Sequence, residues 1–159
     1  METRRIRVGI SVRLVTRDFL PKVHAFLRAT NNGKEADIAD ANLAVAAADI
    51  PRKPRFVMAT TPNDEIVGAM CFNEEFFSID TWGISWLNVH ENYRLQGIAS
   101  QMIKLAVSEI QKCLNGKKGT LILVTYPQNT KLYEKFGFEV IGQDHENDSI
   151  MTKVLEPLS

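Results

Sequence analysis

Cysteine is scarce in this chain. Cys71 and Cys113 are the only two in 159 residues, too few and too far apart for a disulfide framework or a metal knuckle. Both are expected to be reduced and buried, in a cytosolic setting. Net charge is missing as well. The 19 Lys and Arg residues balance 19 Asp and Glu residues, which removes the global basicity usual in nucleic-acid binders but leaves room for a local basic patch. No apolar run approaches the ~20 residues needed to span a bilayer. The opening M-E-T-R-R-I-R leads into an alternating stretch, not a continuous apolar block, so no secretory signal is expected. Internal repeats and low-complexity segments are absent too. The length suits a single domain, 1–159, able to bury a core without staples.

The patterning that is present alternates between strand and helix periods. Ile6 to Val15 sets Ile6, Val8, Ile10, Val12 and Leu14 against polar neighbours, a period of two that predicts a half-buried strand. Asp18 is placed to cap a helix running to about Thr30, with Phe19, Val23, Phe26 and Leu27 at helical spacing and Asn31, Asn32 and Gly33 ending it. Lys34 to Ala48 reads as a second helix that Pro51 stops, and Pro51 to Arg55 reads as a stiff basic linker. Phe56 to Thr60 and Ile66 to Phe72 form two strands around the turn residues Thr61 to Glu65, and Ile79 to Val89 forms a third antiparallel neighbour.

A helix is then expected from about Gly97 to Leu114, with Ile98, Met102, Leu105, Ala106, Ile110 and Cys113 on one stripe. Thr120 to Thr125 is almost continuously apolar, as a strand covered on both faces should be, so strand, helix and strand form a right-handed parallel crossover. Asn129 is placed to cap a short helix that Gly137 ends. Phe138 to Ile141 and Ser149 to Leu155 close the chain as a hairpin across a polar loop. Asp144, Glu146 and Asp148 in that loop read as a solvated turn, and no metal site is expected.

One stretch carries chemistry. Val89 to Gln101 reads V-H-E-N-Y-R-L-Q-G-I-A-S-Q, passing from the end of a strand through a polar loop into the first turn of a long helix. The first N–H groups of a helix lack intrahelical partners and sit at the positive end of the aligned peptide dipoles. A phosphate can bind there without several lysines. Small residues at Gly97 and Ala99 let a ligand approach the backbone closely. The same small residues also serve packing, so the loop alone defines an anion site only weakly.

Two spaced motifs extend the reading. Arg94-Leu95-Gln96-Gly97-Ile98-Ala99 matches an Arg or Gln, two residues, Gly, one residue, then Gly or Ala. Asn129, Tyr133 and Gly137-Phe138 follow beyond an intervening helix and strand. With the element order above, the chain resembles the GCN-related N-acetyltransferase (GNAT) superfamily over nearly its whole length. The resemblance implies an α/β fold: a mixed, mostly antiparallel twisted sheet of about seven strands, flanked by about four helices, with splayed parallel central strands. It implies acetyl-CoA or another short acyl-CoA as co-substrate, with no metal, and transfer to a primary amine by direct attack through a tetrahedral intermediate.

The implied cofactor site places pantetheine against the backbone of Leu87 to Val89, by analogy with an added strand. The pyrophosphate falls on the N–H groups of Gln96, Gly97, Ile98, Ala99 and Ser100, with Arg94 able to pair with a phosphate and Asn129 on the cofactor side. A lysine-like acceptor has a pKa near ~10.4, so about one amine in a thousand is neutral at pH 7, a deficit of about 4 kcal/mol that a base must offset. Tyr133, neutral at pH 7, is the candidate to protonate the leaving thiolate.

The base is less well marked. Many relatives carry a Glu six residues before the position of Val89, and here that position is Gly83. Ser85, expected on the same strand face as Gly83, Leu87 and Val89, is a candidate to orient a water, with Asp80, Glu74 and Glu75 at the edge of the region. Trp82 and Trp86 are expected on the opposite face as core or helix contacts, and His90 has no assigned role. Leu95 stands where Gly or a basic residue is frequent in the family, and Glu91 where Pro is common.

Two other function classes stay open at this level. One is a non-catalytic acyl-CoA-binding regulatory domain, motivated by the absent Glu at 83. The other is a toxin-like acetyltransferase acting on aminoacyl-tRNA or a protein, with Arg52, Lys53 and Arg55 as its local basic feature; zero net charge argues against nucleic acid. The acceptor, whether a small-molecule amine or a protein or peptide amine, is not legible, because the loops that shape it vary freely. A homodimer is common among relatives, and no membrane association is expected.

Overall fold

In a computed structural model, residues 9–31, 37, 40–41, 44–48 and 53–158 are described. The strands are β1 (Ser11–Leu14), β2 (Arg55–Thr60), β3 (Ile66–Glu74), β4 (Thr81–Val89), β5 (Gly119–Thr125), β6 (Glu139–Gln143) and β7 (Ser149–Leu155). They form one 7-stranded sheet in the order β1-β2-β3-β4-β5-β7-β6. The α-helices with defined bounds are α1 (Leu20–Thr30), α2 (Ile98–Leu114) and α3 (Thr130–Glu134), and residues 44–47 are also helical. β1 with β2, β2 with β3, β5 with β7 and β6 with β7 are antiparallel, whereas β4 and β5 are parallel over Thr81↔Thr120 to Gly83↔Ile122. The expected mixed, mostly antiparallel sheet with a central parallel pair is therefore what the chain adopts.

The chain divides into two compact units. The first comprises Met1–Asn73 with Trp86–Ser108, and the second Glu74–Ser85 with Glu109–Ser159. In the first unit α1 buries Val23 and Leu27 in a core with Ala46, Phe56, Ala69 and Cys71, against which Val15, Leu20, Phe26, Ile66 and Trp86 pack. Helical spacing of Val23, Phe26 and Leu27 is what puts them on one stripe. Beside that core, Asp40 bridges His24 and Arg28 of α1; its Oδ1 lies 2.6 Å from His24 Nε2 and its other oxygen pairs with Arg28. The Met102 side chain of α2 enters where Gly68 has no side chain. A Cβ there would stand 3.1 Å from Met102 Cε and 3.3 Å from Ala59 Cβ, which is how a glycine in mid-strand lets a helix side chain approach the sheet.

The second unit buries Ile110, Leu114, Leu121, Leu123, Tyr133, Phe138, Met151 and Leu155. In β5 the buried residues Gly119, Leu121 and Leu123 recur at every second position, and in β7 Ser149, Met151 and Leu155 share one face, the period of a sheet with one covered face.

Several expectations are revised. Asp18 does not cap α1: a 3-10 turn at Arg17–Phe19 precedes the helix and no side chain bonds at its start, with Pro21 in the first turn instead. Cys113 is exposed while Cys71 is buried, because the buried stripe of α2 ends on Ile110 and Leu114, four residues apart, leaving 113 off it. Thr120 to Thr125 is not covered on both faces, since Val124 is 53% exposed. Strand β1 is shorter than expected, starting at Ser11; Ile6 and Val8 lie outside the described residues. Much of Lys34 to Ala48, together with Asn32, Gly33, Pro51 and Arg52, also lies outside them, although the described residues between 37 and 47 are helical. Among the described residues no helix is long and apolar enough to cross a membrane.

Candidate functional site

In the first unit, the second half of β4 leads through a 3-10 turn at Glu91–Tyr93 into α2. His90 holds this turn at both ends. Its amide donates to Val67 O at 2.8 Å, and its Nδ1 accepts from the Asn92 amide at 3.2 Å. The residue given no role in chemistry thus caps the loop. Arg94 Nε then donates to Val89 O at 3.1 Å, closing the loop back onto the last residue of β4.

Two left-handed residues follow, Leu95 at φ 60° and Gly97 at φ 79°. Gly97 takes this conformation without a Cβ penalty, whereas Leu95 bears strain of about 1–2 kcal/mol. Leu95, 74% exposed, is strained without burying its side chain.

The first backbone bond of α2 runs from Gln101 N to Gly97 O at 3.1 Å. The amides of Ile98, Ala99 and Ser100 therefore precede the helical ladder and point out of its start. Ile98 is 1% exposed, so its side chain anchors the turn in the core while only its amide faces outward. The Gln96 side chain reaches Asn92 O at 3.4 Å through Nε2, and its Oε1 is buried without a partner among the described residues. The start of α2 thus combines amides without helical partners, the positive end of the helix dipole and an exposed glycine. These three amides are among those that the sequence pattern puts forward for Gln96 through Ser100.

Trp86 packs against the core of this unit, as expected of a core contact, but its backbone was not foreseen. Its φ of 58° is uncommon for a bulky aromatic inside a strand, and its buried Nε1 has no partner among the described residues. Left-handed backbone in mid-strand is bulge geometry, and it interrupts the period of two. The inference that Ser85 shares a face with Leu87 and Val89 does not carry across it. Asn88 Nδ2 donates to Trp86 O at 3.2 Å, holding the distorted turn of chain. No residue-type signal at Trp86 announces a left-handed conformation, since tryptophan is not a residue that favours one.

In the second unit, Gly83 is buried and pairs with Ile122 of β5. Ser85 is half-buried on β4. Asp80 has φ 56° in the turn before β4, and its carbonyl accepts from Thr120 N at 2.9 Å.

Tyr133 is 8% exposed and meets Phe138 edge-on at 5.9 Å between ring centroids. Burial pushes its phenol up to about 12, only partly offset by a hydrogen bond with the Thr125 side chain. Tyr133 therefore keeps its proton throughout the neutral range. Asn129 closes a 3-10 turn at Pro127–Asn129 and stands exposed at the start of α3, where its side chain makes no capping bond. Gly137 adopts φ 85° just after the helix, as its position in the motif predicts. In the adjoining loop, Asp144 Oδ1 accepts from the amides of Glu146 and Asp148, both at 2.9 Å, a turn-forming use of the carboxylate.

A seven-stranded mixed sheet with a parallel β4–β5 pair, flanked by helices, defines a mixed α/β class. The sequence model of the acetyltransferase (GNAT) domain matches residues 30–153, and the chain belongs to that family. No curated protein matches the sequence.

Among solved structures, the fold is similar to that of a GNAT family N-acetyltransferase (YhbS) from Escherichia coli in complex with CoA. That match has 18% identity, a TM-score of 0.72, and coverage of 92% of this chain and 81% of that one. It is similar also to an aminoglycoside 6'-N-acetyltransferase complexed with coenzyme A, at 17% identity and TM-score 0.72, covering 94% and 99%. A third is the ribosomal-protein-S18-alanine N-acetyltransferase from Escherichia coli, at 16% identity and TM-score 0.67, covering 94% and 96%.

Proposed function

We propose that this protein is a cytosolic acetyl-CoA-dependent N-acetyltransferase that acts on a primary amine. The observation that carries the reading is the start of α2. Leu95 and Gly97, both left-handed, lead into three amides that precede the first helical bond. In this reading Ile98, Ala99 and Ser100 bind the pyrophosphate through their N–H groups, with Gln96 and Gly97 completing the loop and Arg94 fixing its entry. Leu87 and Val89 offer backbone to the pantetheine. The bound thioester supplies an activated acetyl carbonyl. Two of the similar structures hold coenzyme A, in keeping with this reading.

Tyr133 is assigned to the leaving sulfur, and its chemistry is sharper than simple proton donation. A thiol titrates near about 8.5, some 3.5 units below this phenol, so full transfer of the phenolic proton to a thiolate is uphill by about 5 kcal/mol. Tyr133 therefore acts by donating a hydrogen bond to sulfur as charge builds on it, and the proton that finally rests on sulfur comes from the ammonium generated by attack. Ser85 is proposed to orient a water that takes the amine's proton, and Asn129 is kept as a cofactor-side contact.

Titration calorimetry with acetyl-CoA tests donor binding, and release of free CoA thiol across a panel of amines tests transfer. Absence of acetyl-CoA binding by the wild-type chain sinks the proposal. The buried Gly83 in place of a carboxylate favours one second reading, a domain that binds acyl-CoA without turning it over. Steady CoA release with any amine excludes it. The acceptor does not follow from the fold, since one similar structure is an aminoglycoside enzyme and another is named for a ribosomal-protein alanine.

A further inference from the structure

A cavity of about 410 Å³ lies in the first unit, between the end of β1, the start of α1, residues 46–48 at the end of the helical stretch 44–47 and the start of β2. None of the residues proposed to hold acyl-CoA lines it. Three lining residues are cations, Arg17, Lys53 and Arg55, and no lining residue among those described is acidic. This concentration of charge is local, because the whole chain carries a formal net charge of zero.

The rest of the wall is apolar, with Val15, Leu20 and Phe56 among its residues, and Phe56 is only 2% exposed. Two of the cations are held in place. Lys53 Nζ lies 3.4 Å from Ala48 O, and the Arg55 guanidinium sits 5.2 Å from the centroid of the Phe72 ring. Arg17 stands at the exposed margin.

The volume suits a small ligand, and guanidinium groups recognise planar anions through paired N–H donors. We propose that this cavity is a binding site for a small organic carboxylate with an apolar body, whose charged end meets Arg17, Lys53 and Arg55 and whose apolar part lies against Val15 and Leu20. A bare anion gains nothing from the apolar wall, and a neutral isostere gains nothing from the cations. The basic residues around Lys53, which from sequence read most simply as a solvated linker, become one side of a recognition site.

The test is titration calorimetry of the full chain with 3-phenylpropanoate, 3-phenylpropanamide and inorganic phosphate. Saturable binding of the carboxylate is expected, with the amide and phosphate each at least about tenfold weaker. Arg17→Gln combined with Lys53→Gln is expected to weaken the carboxylate about tenfold or more, while circular dichroism and the melting temperature stay at wild-type values. Arg17→Gln alone, at an exposed position, provides a second variant whose folding is not in question. No binding of the carboxylate, equal binding of the amide or of phosphate, or unchanged affinity in the double variant would each overturn the proposal. The outcome is independent of the acyl-CoA reading, because neither the probes nor the variants involve that loop.

Discussion

Arg94 Nε donates to the carbonyl of Val89 at 3.1 Å, so the residue expected to pair with a phosphate also closes the loop onto the strand it leaves. One face of the guanidinium is spent on geometry, and its Nη donors are what remain for a ligand. Arg94→Ala should therefore loosen the loop as well as remove a charge, raising the Kd for acetyl-CoA about 5–30-fold. Arg94→Lys should recover only part of this, since lysine lacks the planar fork. Calorimetry of the two variants decides the matter, and wild-type affinity in Arg94→Ala would contradict it.

Gly97 combines φ 79° with an exposed position at the mouth of the amide cradle. Gly97→Ala should cost about 1 kcal/mol in stability from the left-handed backbone. Gly97→Glu adds a carboxylate where a phosphate is to sit, and donor affinity should fall more than about 100-fold while the circular dichroism spectrum is kept. Tight binding of acetyl-CoA by Gly97→Glu would show that the phosphate lies elsewhere.

Leu95 bears a positive φ with its side chain 74% exposed, so replacing it removes strain and little packing. Leu95→Gly should leave stability unchanged or raise it by up to about 1 kcal/mol, the relief being partly offset by the greater freedom of glycine in the unfolded chain. Leu95→Val should lower it by about 1 kcal/mol or more, because a branched Cβ tolerates this region poorly. Thermal melts of the pair measure the difference, and a variant order opposite to this one would remove the strain argument.

Tyr133 gives a pH signature with a definite sign. Its folded pKa, raised to about 12 from 10.0, favours the folded state fully below pH 10. As pH rises from 10 towards 12 the unfolded chain loses this proton and the folded chain does not. Stability should fall over that interval by up to about 3 kcal/mol, and Tyr133→Phe should abolish that part of the fall. In the acyl-transfer reading, Tyr133→Phe should lower kcat about 10–100-fold with little change in KM for the donor. Denaturant melts between pH 8 and 12 and steady-state kinetics at pH 7.5 separate the two effects.

Legibility of the fold tracked how local each cause was. β2, β3, β5 and β7 and α2 appear within about two residues of where periodicity places them, because a period of two or 3.6 is written in neighbouring residues. Asn115 and Gly116, both left-handed, end α2 where the Asn-Gly pair indicated. Asp18 failed as a cap because a 3-10 turn intervened, and Cys113 failed as a core residue because its neighbours Ile110 and Leu114 set the buried stripe. Both failures turn on less than one helical turn, below what spacing resolves.

The sequence by itself determined the family, the order of elements and the stretch from Arg94 to Ser100, since each rests on residue types at short fixed separations. Tertiary structure decided the rest. Trp86 takes a left-handed backbone inside β4, which no residue type there foretells. Burial among the second unit's core raised the Tyr133 phenol. Arg17 is separated from Lys53 and Arg55 by more than 30 positions in the chain, yet lines one cavity with them. Local pattern records what each segment prefers, whereas desolvation, strain and the meeting of distant charges exist only once segments have packed.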